Sequence, residues 1–324
     1  MRKWVRLAVA IVASGVALAA APAFAQTWPQ RTVKFILPLG PGAAADISAR
    51  LLAERLGKRW GQPVVVENRP GGDGVIAINA VLSARDAHTL LFGPTATLAG
   101  HPYTLDKLPY DPNELLPVAR VSSTVIVIAA PASLGAQSLK ELLTMVREEP
   151  GKLNWTTAVP MTDIIVAAYL KSAGLDMAQV RYKDVVSALN DLAEARIQFY
   201  SAAYAIVRSQ AQAGRVRVLA VQNRGRVPAL AGVPTVAEEG YPELNFDGLV
   251  GVIAARASGM PGSLRERIAL DIRETLADPV VAERLTATGQ IVSPGSPSEF
   301  AAAMDEQANH LAALARSLGM KPKQ

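Results

Sequence analysis

Three aspartates and three short loops carry the chemistry open to this sequence. Asp46 closes the loop Leu39-Gly40-Pro41-Gly42-Ala43-Ala44-Ala45, Asp163 follows Thr156-Thr157-Ala158 by a few residues, and Asp184 opens a helical pattern. Carboxylates brought together can exchange protons in acid–base work. Each also has a plainer use, because an acid at a helix start caps free N–H groups and complements the helix dipole. Asp184 fits the plainer use; for Asp46 and Asp163 both uses stand. The chain has no cysteine, which removes thiol nucleophiles, iron–sulfur clusters and Cys-based zinc sites. His88, His101 and His310 lie far apart and without the HExxH spacing of a zinc site. There is no G-x-S-x-G elbow. No catalytic residue, metal site or cofactor is therefore expected.

The opening loop needs separate weighing. Gly40-x-Gly42-x-x-Ala45 is a loose match to the dinucleotide pattern, and Glu67 ends the next strand, where that fingerprint places an acid. Pro41 stiffens the loop and Pro38 interrupts the approach to it, which argues against a dinucleotide. No Gly-Lys-Ser/Thr follows, so a Walker loop is excluded. Two readings remain. The glycines allow a tight turn, or the N–H groups at the helix N-terminus receive a carboxylate.

The elements that must position these loops alternate in type. "VKFIL" (33–37) reads as a strand, and Ile47, Leu51, Leu52, Leu56 and Trp60 share one helical face. "PVVVEN" (63–68), a helix in "VIAINAVLSA" and the strand "TLLFG" (89–93) complete a βαβαβ pattern, which implies a parallel sheet with helices on both faces. The apolar stretch 118–130 is too long for one ordinary strand and suits a crossing between domains. Alternation then resumes: a helix from Ser138 with Glu141 in capping-box spacing, then "LNWTT", "QVRYK", "IQFYSA" and "VRVLAV" as strands with helices between them. A strand region over 246–255 and helices near 263–276 and 298–318 follow. Trp155 and Tyr200, at strand ends, either wall a ligand or fill the core.

The chain has 324 residues, half of them apolar and 19% charged, enough for two medium cores. Its first residues have a basic start (Arg2, Lys3, Arg6), an apolar run over 7–20 and Ala23-Phe24-Ala25. That is the layout of a secretory signal peptide, expected over 1–25. Its removal lowers the formal charge of +5 by three. A near-neutral chain without a basic run offers no footprint for nucleic acid.

Several longer phrases stand in order and together resemble the Bug-type periplasmic receptors, the substrate-binding proteins of tripartite tricarboxylate transporters. They are "WPQRTVKFILPLGPGAAAD" (28–46), "WGQPVVVENRPGGDG" (60–74), "LPYDPNELLPVARV" (108–121), "RYKDVVSALNDLAEARIQFY" (181–200), "AGRVRVLAV" (213–221) and "VPALAGVPTVAEEGYPELNFDGLVG" (227–251). The resemblance implies a two-domain Venus-flytrap fold, type II, each domain a doubly wound, mainly parallel sheet. Domain 1 would be 26–124 with 247–324, and domain 2 would be 125–246, with the last helix returning to domain 1. It implies capture of a small carboxylate between the domains without catalysis, in a periplasmic monomer. The partner would be a tripartite-type membrane permease or, in the alternative, a membrane sensor; a hydrolase would need a nucleophile–base pair that is not found.

Carried over residue by residue, the ligand-binding set is Leu39, Gly40, Gly42, Ala43, Ala44 and Asp46 in the first loop, and Gly93, Thr95 and Thr97 in the second. The third loop and its surroundings add Thr156, Thr157, Ala158, Thr162, Asp163, Asp184 and Ser201. This chain departs from the family pattern in several places. It has Ala43 to Ala45 where the relatives have glycines, Pro94 before Thr95, and "WTTAVPMTDII" in a loop that usually carries glycines and a histidine. Val159, Pro160 and Met161 should narrow the third loop against citrate-like tricarboxylates. Asp46 and Asp163 flanking the cleft would repel a second ligand carboxylate in a partly desolvated space. The expectation is a small monocarboxylate, amino-acid-like or aromatic, with both acids acting as helix caps as the alternative.

Overall fold

The structure, a computed structural model, describes residues 28–158, 160–182 and 184–323. The expected leader over 1–25 lies outside the described residues, as do Val159 and Lys183. Two sheets organise the chain. The first has the strand order β11-β4-β10-β3-β1-β2 and the second β7-β6-β8-β5-β9. Their strands are β1 (Val33–Leu37), β2 (Val64–Asn68), β3 (Thr89–Pro94), β4 (Leu115–Thr124), β5 (Ile126–Pro131), β6 (Asn154–Thr157), β7 (Ala178–Gln179), β8 (Phe199–Ala203), β9 (Val216–Val221), β10 (Gly248–Ala255) and β11 (Gln290–Gly295).

Both sheets are mixed, where mainly parallel ones were expected. β1 runs parallel to β2 and β3, and β6 to β7 and β8. The other pairings are antiparallel: β10 with β3 and β4, β11 with β4, and β5 with β8 and β9. The reason lies in the crossings. The chain leaves the first sheet along β4 and re-enters it along β10, so the two neighbours must oppose each other. The long apolar stretch divides into β4 and β5 at the single residue Val125, whose N–H bonds to the Gly289 carbonyl. β11, with a proline inside and only partial burial, carries too weak an alternation to be read beforehand.

The helices follow from local signals. α1 (Ala44–Trp60) buries Ala45, Ala49, Leu52 and Leu56 and ends at Gly61 with φ 66°, a left-handed stop that glycine adopts without strain. α2 (Val75–Ala84) and α3 (Ala96–Thr104) follow β2 and β3. In α4 (Leu139–Glu148) the Ser138 hydroxyl accepts the Glu141 N–H at 3.1 Å, while the Glu141 carboxylate takes the Gln137 N–H, so the expected capping box forms on one side only. α5 (Pro160–Ser172), α6 (Val185–Ala193) and α7 (Tyr204–Gln212) belong to the second sheet; α8 (Gly262–Leu276) and α9 (Pro279–Ala287) return to the first.

The last helix, α10 (Pro297–Ser317), opens on a full capping box between Ser296 and Glu299. It does more than return to the first sheet. Phe300 is buried among Ile36, Leu91 and Leu249, whereas Leu311 and Ala315 enter the second sheet's core with Ile164 and Leu170. Trp155 and Tyr200 are both core residues, 4% and 0% exposed, and neither walls a ligand space.

Candidate functional site

In the first sheet the strand order reverses around β1, and in the second around β6. Open α/β sheets place ligands outside the carboxyl ends of strands at such reversals. Here the loops after β1, β2 and β3 meet those after β6 and β8 around a cavity of about 350 Å³, within the usual size of a small-molecule site. Pro38, Leu39, Asp73, Gly74, Ala96 and Thr97 line it from the first sheet's side, and Ala158, Met161 and Ala203 from the second's. Thr124, Ile126, Phe246 and Gly248, on the two crossings, close the back.

Four helices begin at this cavity. Gly74 is the N-cap of α2, Ala96 and Thr97 open α3, Met161 lies in the first turn of α5, and Ala203 is the N-cap of α7. No side chain caps α2, α3 or α7. The first N–H groups of a helix have no partner within it, and its N-terminus carries a partial positive charge. Among the described residues, the lining has no lysine, arginine or histidine. The arrangement can therefore hold an anionic group by backbone dipoles, between apolar walls.

The loops divide the expected residues. Leu39, Thr97 and Ala158 line the cavity. Gly93 holds the second loop against the first, since a Cβ there would meet Pro38 Cδ at 3.0 Å. Thr95 is buried and directs its hydroxyl toward Gln307 Oε1 at 3.3 Å and away from the cavity. Gly40, Gly42, Ala43 and Ala44 form the turn outside the lining, with Gly42 at φ 86°.

Asp46 does not flank the cleft. It is 2% exposed, and its carboxylate accepts the Gly42 N–H at 2.9 Å, the Asn68 amide at 2.8 Å and the Arg50 guanidinium at 3.1 and 3.0 Å. Asn68 also donates to the Leu39 carbonyl. Burial alone would raise the carboxyl, but the Arg50, Gly42 and Asn68 hydrogen bonds outweigh it and hold Asp46 below the ordinary range. The acid locks the first loop to the end of β2, which is why it cannot also meet a ligand.

Asp184 is likewise a cap and lies outside both cavities described here. Its carboxylate accepts the Val186 and Ser187 N–H groups at 3.0 and 2.8 Å, and these bonds lower its pKa. Ser201 is fully buried and spends its hydroxyl on Gln222, which in turn donates to the Leu244 carbonyl. Thr162 is buried and bonded within the protein.

Thr156, Thr157 and Asp163 line a second cavity, of about 520 Å³, which shares Asp73 and Ala158 with the first. Thr157 donates to Asp163 at 2.6 Å. Burial pushes the Asp163 carboxyl up, against the lowering effect of Thr157 and of Arg181 at 3.8 Å.

Sequence reasoning missed Asp73 and the crossing residues. Asp73 has φ 53° inside a glycine turn, a left-handed conformation that aspartate tolerates better than most residues. Its carbonyl oxygen lies 2.9 Å from His101 Nε2, and the other ring nitrogen lies 2.7 Å from the Tyr110 hydroxyl. An acid set among glycines was the one available hint. Met161 lines the cavity, and its sulfur packs against Gly100, which has no Cβ to obstruct it.

Comparison with known proteins bears on the family and the fold. The family model "Tripartite tricarboxylate transporter family receptor" matches residues 48–320. Protein BugT of Bordetella pertussis is 30% identical over 313 residues, covering 94% of each chain. Among solved structures, an R. palustris protein with adipate superposes with a TM-score of 0.74 at 26% identity, covering 91% of this chain and 99% of that one. The periplasmic binding protein BugD does so with 0.70 at 25%, covering 92% and 100%. These relatives are substrate-binding receptors, not enzymes, and their two-domain fold is the one seen here. The chain belongs to the tripartite tricarboxylate transporter receptor family.

Proposed function

We propose that the protein is a periplasmic receptor that captures a small carboxylate for uptake through a membrane permease. The ligand carries one carboxylate on an apolar body, amino-acid-like or aromatic. The two lobes, 26–124 with 247–324 and 125–246, close on it like a flytrap. The receptor works as a monomer.

The observation that carries this reading is the convergence of four helix N-termini on a cavity with apolar walls and, among the described residues, no basic side chain. Four helix N-termini at about half a positive charge each offer about two charges in all, and the Asp73 carboxylate beside Gly74 offsets about one of them, which leaves about one for a ligand carboxylate. A second ligand carboxylate finds no cation among the described lining residues and meets Asp73 instead. At about 5 Å that repulsion is roughly 1–3 kcal/mol between water-like and surface-like dielectrics. The R. palustris relative holds adipate. In this chain Asp73 and the bulk of Met161 favour a ligand with a single charge, and the tight fit of Met161 against Gly100 disfavours a tricarboxylate.

Thermal-shift screening followed by calorimetry of the mature chain tests this. Hexanoate, benzoate or an apolar amino acid should stabilise the protein more than adipate, malate or citrate. Stabilisation by dicarboxylates or citrate alone would refute the single-carboxylate reading.

A further inference from the structure

The second, polar cavity adjoins the apolar one and shares Asp73 and Ala158 with it. Thr156, Thr157 and Asp163 line this annex from the second lobe, Asp73 and Thr104 from the first. Two acids alone could be ordinary surface charge. Thr156 makes the difference. It is only 3% exposed and lines the annex, and its hydroxyl makes no hydrogen bond to a described residue. That hydroxyl is not one of the sealed, unpaired groups of the core; it is reached from the annex, so what fills the annex supplies its partner. A guest in the annex would complete it.

The charges indicate what kind of guest. Asp163 is the inner group, with a side chain 27% exposed, and Arg181 is the outer one, 78% exposed. Their 3.8 Å separation is loose, and Arg181 donates to Gln179 at 3.1 Å. Among the described residues the carboxylate of Asp73 has His101 as its ion-pair neighbour, at 3.6 Å, and that ring is already bonded to the Asp73 carbonyl and to Tyr110. Among the described residues the inner surface thus presents carboxylates and hydroxyls, which can accept, with the Arg181 guanidinium turned outward. A guest that donates hydrogen bonds and carries positive charge satisfies it; an anion does not.

Resting on the reading of the apolar cavity as a carboxylate site, we infer that the annex receives the far end of the same ligand and selects an ammonium group there. The ligand is then a carboxylate and an ammonium joined by an apolar spacer. The carboxylate sits at the helix N-termini, the spacer along Leu39, Ala96, Ile126 and Met161, and the ammonium among Asp73, Asp163 and Thr156.

Calorimetric titration at pH 7 with hexanoate, 6-aminohexanoate and adipate tests this on the mature chain and on Asp73→Asn and Asp163→Asn. The wild type should bind 6-aminohexanoate at least about tenfold tighter than hexanoate, the scale of one charge-assisted contact. Each variant should cut that ratio to within about threefold; hexanoate affinity should move less than about twofold in Asp163→Asn, which lies outside the carboxylate cavity, and should rise in Asp73→Asn, where a charge lining that cavity is removed. Circular dichroism verifies that each variant is folded, and either one alone suffices. Hexanoate binding with no gain from the amine overturns this inference and leaves the single-carboxylate reading standing. Binding of adipate alone, or of none of the three, overturns both.

Discussion

Replacing Asp46 with asparagine separates two roles that the sequence left open, ligand contact and loop lock. In the structure the carboxylate accepts from Gly42, Asn68 and Arg50 while 2% exposed. Asparagine keeps one acceptor oxygen and turns an NH2 toward the remaining donors. The loss is at least one charge-assisted bond plus a buried donor facing a donor, each about 1.5–3 kcal/mol. Arg50 is half exposed, so its share is discounted for solvent screening. The net expectation is about 2–4 kcal/mol of destabilisation in urea unfolding at pH 7. Ligand affinity of the folded variant should fall only modestly, through a looser first loop.

The pH dependence supplies an independent sign. The folded carboxyl titrates below its unfolded value, which is about 3.9. Its stabilisation is therefore complete above that pH and disappears as pH falls through the lower folded value. The gap between wild type and Asp46→Asn should be constant from pH 5 upward and close in stronger acid. A variant that unfolds within about 0.5 kcal/mol of wild type yet loses ligand binding outright would refute the loop-lock argument and restore Asp46 to the ligand.

Two other expectations follow from the same cavities. Gly100→Ala puts a methyl group against the Met161 sulfur, which lines the ligand cavity; ligand affinity should drop by roughly tenfold, and adding Met161→Ala should recover most of it in a calorimetric cycle. Asp163 is the opposite of Asp46: its folded carboxyl titrates above the unfolded value because of burial, so the ionised form costs stability once pH rises through that range. Asp163→Asn should raise the melting temperature of the ligand-free protein at pH 7, and the gain should vanish below about pH 4.

Much of the scaffold was legible because it depends on local pattern. The strand at 33–37, the helix at 75–84 and the loops after them follow from short-range alternation and from glycine and proline positions, and these carried the family resemblance too. Leu39, Thr97 and Ala158, carried over from the resemblance, line the cavity because they follow strand ends. What the sequence could not settle was the direction in which side chains point. Asp46 and Asp163 occupy equivalent places, each in the first turn of a helix after a loop. Yet Asn68 and Arg50 consume the first, while the second remains at the edge of a cavity. That outcome depends on a neighbour 22 residues away on another strand, a relation without local signature.

The same holds for Asp73 and for the crossing residues Ile126 and Phe246, which become part of a site only when two sheets meet. It holds for α10 as well, whose amphipathic pattern announces a buried face but not that its two ends enter two different cores. Local sequence determined which elements form and where they stop, because hydrogen bonding and side-chain periodicity act within a few residues. Tertiary structure alone decided which carboxylates are spent inside the protein and which still face a cavity, because that depends on donors supplied by distant parts of the chain.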